Sequence, residues 1–174
     1  MLIDVTHLSQ KSFWDVLETS AKPPIVSHGG ARSFCPDLGN LTDDQLRALA
    51  KHNGVVGIHF VSHVVKAPDT VATLDDVVDH ISYLADLMGI DHVGIGADYF
   101  PYNDAYTQAQ KKFMEMVDLG ARGNIAEITY ARGLESIASM ENLTLRLGER
   151  GFRTEDIRKI LGLNLLRVYR EVLH

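Results

Sequence analysis

Three short runs of mostly aliphatic or small residues each end on a side chain that can bind a metal or move a proton. They end at His7, His28 and Asp98. Such runs are typical of strands that are buried on both faces of a parallel sheet. In α/β barrels the reacting groups lie at the C-terminal ends of the strands. Two histidines and an aspartate in these places indicate a metal-dependent hydrolase.

His7 and His28 are the candidate metal ligands. Equivalent ends of neighbouring parallel strands lie about 5 Å apart, so the two imidazoles can share one divalent ion. Catalytic zinc usually has three protein ligands and a water molecule, and two histidines alone do not complete such a site. From spacing alone, a pair of structural, hydrogen-bonded histidines remains an equal alternative.

Asp98 is the candidate catalytic residue. A carboxylate beside a metal-bound water can accept its proton and later deliver it to a leaving amine. The alternative is a cap of the turn that follows. His59 ends another apolar run in the same way, with His63 close behind it, and Arg32 lies in the loop after His28. We treat His59 and Arg32 as candidate substrate-binding residues, Arg32 through a bidentate contact with a carboxylate.

Composition limits the class of protein. The chain has 174 residues, 45% of them hydrophobic, and a net charge of −6, which predicts a single domain over residues 1–174. There is no basic stripe, so we expect no nucleic-acid partner. The single Cys35 rules out an internal disulfide. No stretch approaches the roughly 20 apolar residues of a membrane span, and this sequence alone indicates the cytoplasm unless an export signal precedes Met1.

Hydrophobic periodicity predicts strands that alternate with helices, hence an α/β fold with a parallel sheet and right-handed crossovers. Residues 1–98 carry four predicted strands: 2–7, 24–28, 55–60 and 93–98. The helices between them are predicted to begin after the capping residues Ser9, Thr42 and Thr73. Residues 99–174 form a helical part. Its predicted helices are 106–119, 140–149, 155–161 (capped by Thr154) and 165–173 (capped by Asn164), while 125–134 is ambiguous.

Several motifs, taken in this order, resemble the membrane (renal) dipeptidase family. The resemblance covers nearly the whole chain and is weakest over residues 100–132. Its clearest segments are Ile3-Asp4-Val5-Thr6-His7-Leu8-Ser9, Ser27-His28-Gly29-Gly30-Ala31-Arg32, Asn40-Leu41-Thr42-Asp43, Gly94-Ile95-Gly96-Ala97-Asp98, Gly133-Leu134-Glu135 and Asp156-Ile157-Arg158-Lys159-Ile160-Leu161-Gly162.

The resemblance implies an amidohydrolase-like (β/α)8 TIM-type barrel with two zinc ions, of which this chain would be the C-terminal half, strands five to eight. His7 and His28 match the two histidines that hold the second zinc, and Asp98 matches the acid–base aspartate. The ligands that the family carries on its first four strands have no counterpart here. Gly39 stands where the family has a carboxylate-binding arginine, with Arg32 as a possible substitute, and His59 stands where an asparagine is usual.

Two functions follow as expectations. The first is a zinc-dependent dipeptidase, in which a metal-bound hydroxide cleaves a dipeptide and Asp98 moves the proton, present here as a truncated chain that we expect to be inactive alone. The alternative is a non-catalytic half-barrel that acts as a binding or assembly module. In either case the missing half is expected from a second copy of the chain or from a partner that carries the N-terminal half-barrel.

Overall fold

The fold is a parallel sheet with helices packed around it, which confirms the predicted α/β class. A computed structural model describes residues 1–67, 70–99, 112 and 129–173. Within these ranges the sheet contains three strands: β1 (Ile25–Gly29), β2 (Val55–Ile58) and β3 (Val93–Ile95). They lie in the order β1-β2-β3 and all pair in parallel.

The segment 2–7, predicted to be a strand, forms a single parallel bridge between Asp4 and Ile25 instead. Its backbone leaves the sheet because the Asp4 carboxylate accepts a hydrogen bond from the Thr6 amide two residues later, at 3.0 Å. Short polar side chains often compete in this way with the hydrogen bonds of a sheet. His7 follows with a φ of 59°, so the segment still ends beside β1 but turns away there.

The helices that follow the predicted caps are confirmed. Ser9 accepts a hydrogen bond from the Ser12 amide, and Thr42 and Thr73 each form a capping box, an arrangement that satisfies two amides at a helix start. The helices are α1 (Gln10–Thr19), α2 (Asp43–Lys51), α3 (Ser62–Val65), α4 (Leu74–Met88), α5 (Met140–Glu149), α6 (Thr154–Arg158) and α7 (Asn164–Leu173).

The C-terminal helices differ from the prediction in three details. The predicted helix 155–161 is shorter, because the backbone kinks at Gly162 within the π-helical turn Lys159–Leu163. Thr154 is the first helical residue of α6 and not its cap. Asn164, predicted to cap the last helix, is instead the first residue of α7, and its side-chain amide donates to the carbonyls of Ile90 and Val93. The predicted helix 106–119 and most of 125–134 lie outside the described residues.

Two glycines allow the C-terminal ends of the strands to approach closely. A Cβ atom on Gly57 or on Gly96 would overlap the carbonyl oxygen of Ser27. The backbones of β1 and of the residues after β3 therefore come close to each other at this end of the sheet. Only glycine permits backbones to approach this closely. The residues that follow β1 and β3 are brought together as a result.

Candidate metal centre

The structure brings His7, His28 and Asp98 together at the C-terminal ends of the strands. The Nε2 atoms of His7 and His28 are 2.9 Å apart, and their rings meet edge to face. An Asp98 carboxylate oxygen lies 3.9 Å from Nε2 of His28. The convergence expected of these three side chains is thus present, whereas their chemical roles stay predictions.

Two residues of the cluster have an unusual backbone conformation. His7 has a φ of 59° and Asp98 a φ of 54°, in the left-handed region that residues other than glycine seldom adopt. Such a conformation costs about 1–3 kcal/mol and is found most often at functional sites. Both side chains are turned towards His28 as a result. The Asp98 carbonyl is also held by the Tyr130 hydroxyl at 2.8 Å.

A chain of hydrogen bonds behind His28 fixes its protonated nitrogen. The Thr6 hydroxyl lies 2.6 Å from the Asp4 carboxylate and must donate to it, because a carboxylate only accepts. Thr6 Oγ1 is then an acceptor for the Ser27 hydroxyl, 3.1 Å away. Ser27 in turn accepts from Nδ1 of His28 at 3.0 Å. The proton of neutral His28 therefore lies on Nδ1, and the lone pair of Nε2 faces His7 and Asp98.

His59 is the fourth side chain of the cluster, and it is 6% exposed. Its Nε2 atom lies 3.4 Å from the Asp98 carboxylate, and its ring meets that of His28 edge to face. The sequence placed His59 at the correct end of its strand but did not reveal this contact with Asp98. His63, the other histidine considered there, lies on α3 outside the cluster.

The surroundings shift the pKa values of the cluster towards the forms that bind metals. Burial raises the pKa of Asp98, but interactions with the neighbouring histidines, that with His59 first, outweigh it, and the net pKa is lowered. The pKa of His28 is lowered, chiefly by burial, although the Asp98 carboxylate partly opposes this. Neutral imidazole and ionised carboxylate are the states that ligate metal ions.

The donor set fits a divalent metal ion. One ligand atom each from His28, His59 and Asp98 lies within 4.8 Å of the other two, and Nε2 of His7 faces the same space. Imidazole nitrogens with a carboxylate suit zinc as well as other first-row ions. Among the described residues, no second carboxylate joins this cluster.

Arg32 lies beside the cluster but points its guanidinium at the backbone. It donates to the Asn40 carbonyl at 2.7 Å and to the Leu38 carbonyl at 3.1 Å. Arg32 and His7 line the same cavity of about 90 Å³, and Gly39 is also in its wall. The guanidinium therefore lies next to the position that Gly39 leaves without a side chain.

Sequence reasoning missed four residues that support the cluster. Asp4 was not taken for a ligand, and its place three residues before His7 did not reveal the chain of hydrogen bonds through Thr6 and Ser27. Tyr130 falls in a segment of ambiguous periodicity. Hydroxyl and carboxyl side chains within a strand-like run are themselves a signal, since short polar side chains often form hydrogen bonds that compete with a sheet.

Comparison with known proteins agrees with this geometry. The sequence profile described as membrane dipeptidase (peptidase family M19) matches residues 1–118. Dipeptidase tcpJ of Claviceps purpurea is 30% identical over 172 residues, which are 99% of this chain and 35% of that protein. A solved amidohydrolase from Pseudomonas aeruginosa is 27% identical with a TM-score of 0.87, and the match covers 99% of this chain and 52% of that one.

A metallopeptidase from Rhodobacter sphaeroides, solved with a phosphinate mimic of the dipeptide L-Ala-D-Ala, has a similar fold, with a TM-score of 0.76 and 23% identity. That match covers 97% of this chain and 41% of that one. The chain spans only 35 to 38% of the length of the curated relatives that it matches. No helix in the part of the chain that the structure describes is long and apolar enough to cross a membrane. By its sequence profile and its relatives, the chain belongs to the membrane dipeptidase family, peptidase family M19.

Proposed function

We propose that this chain is the C-terminal half, strands five to eight, of a zinc-dependent dipeptidase barrel and supplies one side of its metal centre. The observation that carries the proposal is the convergence of His7, His28 and Asp98, with 2.9 Å between the two imidazole nitrogens and 3.9 Å from His28 to the carboxylate. Segment 2–7 bridges β1, and the sheet continues in chain order, as consecutive strands of a barrel do.

His7 and His28 are the residues that would hold one zinc ion. When bound, such an ion polarises the substrate carbonyl and lowers the pKa of a bound water. Asp98 accepts a proton at its carboxylate and returns it to the leaving amine of the dipeptide. The lowered pKa of Asp98 keeps this carboxylate ionised before the reaction. We expect the ligands of a second zinc ion from the part of the relatives' length that this chain does not cover.

Arg32 is proposed to recognise the C-terminal carboxylate of the dipeptide. It lines the same cavity as His7, and its contacts with two backbone carbonyls hold the guanidinium in place. An arginine held in this way can offer its remaining N–H groups to a carboxylate. His59, the other candidate for substrate binding, contacts Asp98 instead.

The second candidate is a half-barrel that serves binding or assembly without catalysis. It is favoured by the position of β3 at the edge of the described sheet, because an open edge strand readily pairs with another chain. A second copy of the chain or a partner that carries the N-terminal half-barrel would complete the sheet. Both functions thus require association, and only the first requires a metal.

Metal content per chain, measured together with the mass in solution, separates the two candidates. We expect bound zinc in the wild-type protein and its loss in a His7→Ala, His28→Ala double variant. His52→Ala is the matched control, since His52 is exposed on the far end of α2. Zinc that survives the double substitution, or a particle completed by the missing half-barrel that binds none, would rule out the dipeptidase proposal. Hydrolysis of dipeptides by the completed particle is the direct assay.

A further inference from the structure

We propose that His59 is a positioning residue that holds Asp98, and that it is not a metal ligand although it belongs to the cluster. This inference rests on the proposed function, because it concerns how the acid–base carboxylate is oriented. The distance between donor atoms alone groups His59 with His28 and Asp98. The hydrogen bonds around its ring assign it a different role.

The backbone amide of Val61 fixes the tautomer of His59. This amide donates to Nδ1 of His59 at 3.1 Å, and an amide N–H can only donate. Nδ1 must therefore carry a lone pair, and the proton of the neutral ring lies on Nε2. The Nε2–H group faces the Asp98 carboxylate at 3.4 Å. His59 has no lone pair to offer at the nitrogen that faces the metal site.

Burial makes this arrangement hard to reverse. His59 is 6% exposed, and its side chain lies at the end of β2. If Nε2 bound a metal, the proton would have to lie on Nδ1, directly against the Val61 amide. Two N–H groups would then face each other in a buried place, and an unsatisfied buried donor costs about 1–3 kcal/mol.

His28 shows the opposite arrangement one strand away. Its proton lies on Nδ1, which donates to Ser27, and its Nε2 lone pair faces the centre of the cluster. Metal-bound histidines commonly donate their second ring nitrogen to a polar partner in this way. The two histidines therefore hold complementary roles: His28 accepts the ion, and His59 donates to the carboxylate.

The contact between the Nε2–H group of His59 and the carboxylate gives Asp98 a preferred orientation. Asp98 follows β3 in a strained backbone conformation, with a φ of 54°, and its side chain is partly exposed. The Nε2–H group of His59 faces the same oxygen, Oδ2, that lies nearest His28, at a distance of 3.4 Å. This contact restrains rotation of the carboxylate while the Tyr130 hydroxyl restrains its backbone carbonyl.

Nitrogen NMR of the wild-type protein tests the tautomers without any substitution. Long-range proton–nitrogen spectra of the histidine rings are recorded before and after addition of zinc. We expect the proton on Nε2 of His59 in both spectra, and a zinc-dependent shift of Nε2 in His28. A His59 ring with its proton on Nδ1, or a zinc-induced shift at Nε2 of His59, would overturn the proposal. Absence of any shift at His7 and His28 would instead contradict the proposed function.

The substitutions His59→Gln and His59→Asn test the positioning role of His59. The amide nitrogen of Gln reaches the place of Nε2 and can still donate to Asp98, whereas that of Asn reaches only the place of Nδ1. We expect zinc affinity to stay within about threefold in both variants, since no ligand is removed, while His28→Gln loses about tenfold or more. The carboxyl carbon shift of Asp98 should move in His59→Asn and return in His59→Gln.

The same variants are expected to differ in activity when the enzyme is completed by the missing half-barrel. Dipeptide kcat should fall in His59→Asn with KM little changed, and His59→Gln should restore it. His52→Gln is the matched control at an exposed histidine. A loss of zinc affinity in His59→Gln equal to that in His28→Gln would show that His59 is a ligand and would reject the inference.

Discussion

The Thr6 hydroxyl lies 2.6 Å from the Asp4 carboxylate, and the same hydroxyl oxygen accepts from the Ser27 amide at 2.8 Å. This pair ties segment 2–7 to β1 at the point where the regular ladder stops. It also directs the hydrogen of the Ser27 hydroxyl towards Thr6, so that the hydroxyl oxygen can accept a hydrogen bond from Nδ1 of His28. The Asp4 carboxylate thus fixes both the backbone path of segment 2–7 and the tautomer of His28.

Ser27→Ala tests the hydrogen-bond chain behind His28. The substitution removes the acceptor for Nδ1 of His28, and the ring loses its fixed tautomer. Loss of such a partner lowers metal affinity by about 10- to 100-fold, so we expect a fall of about tenfold in zinc affinity by competition with a chelator. Ser136→Ala is the control at an exposed serine. Equal affinities in the two variants would show that the chain does not orient His28.

Gly96→Ala and Gly148→Ala test the close approach of β1 to the residues after β3. A Cβ on Gly96 would overlap the Ser27 carbonyl, whereas one on Gly148 meets nothing within 4 Å. We expect Gly96→Ala to lower the free energy of unfolding by about 1–3 kcal/mol. Gly148→Ala, on α5, should raise it by about 0.5 kcal/mol because alanine favours a helix. Urea unfolding measures both, and a neutral Gly96→Ala would contradict the close approach of Gly96 to the Ser27 carbonyl.

The buried side chain of His80 predicts that the free energy of unfolding falls as the pH becomes acidic. The ring is fully buried, accepts from the Ala31 amide at 2.7 Å, and stacks on Phe34. Burial lowers the pKa of His80 from 6.5 to about 3. Between these values the unfolded chain binds a proton at His80 and the folded protein does not. This contribution to stability is therefore complete above pH 6.5 and is lost as the pH falls towards 3, by up to about 1.4 kcal/mol per pH unit.

The variants His80→Gln and His52→Gln distinguish the contribution of His80 to acid sensitivity from that of other titratable groups. His80→Gln removes the titration, and its side-chain oxygen can still accept from Ala31. We expect a flatter dependence of the unfolding free energy on pH between 6.5 and 3 than in the wild type. His52→Gln, at an exposed position, should leave the wild-type curve unchanged. A wild-type slope in His80→Gln would assign the acid sensitivity elsewhere.

Asn164 joins the helical part of the chain to the sheet. Its amide donates to the carbonyls of Ile90 and Val93, and its side chain is buried. Asn164→Ala leaves both carbonyls without this donor, which we expect to cost about 1–3 kcal/mol in thermal or urea unfolding. Asn142→Ala removes a single, partly buried bond to the Gly133 carbonyl and should cost less. The reverse order would show that Asn164 does not anchor α7.

Local signals in the sequence predicted the helices better than the strands. Ser9, Thr42 and Thr73 each cap a helix through atoms within three residues, so the sequence contains the whole interaction. Segment 2–7 has strand-like composition, but Asp4 forms hydrogen bonds within the segment and to β1 that periodicity cannot show.

The sequence predicted which residues of the candidate site come together better than it predicted the contacts that each of them makes. Strand ends placed His7, His28 and Asp98 near each other because parallel strands share one C-terminal edge. The role of His59 depends on a backbone amide two residues later and on a carboxylate that is 39 residues away in sequence. The sequence offers Arg32 as a carboxylate-binding residue, whereas its contacts with the carbonyls of Leu38 and Asn40 depend on the fold of the intervening loop.

The C-terminal helix α7 has a consequence for biosynthesis. Val168 and Val172 cover Ile25 and Val55, which lie at the beginnings of β1 and β2, and Lys22 donates to the Glu171 carbonyl at 3.0 Å. Contacts of such long sequence separation form late in folding. In a nascent chain the apolar starts of two strands therefore stay exposed until α7 has been synthesised and packs on them, and such exposed apolar surface promotes aggregation.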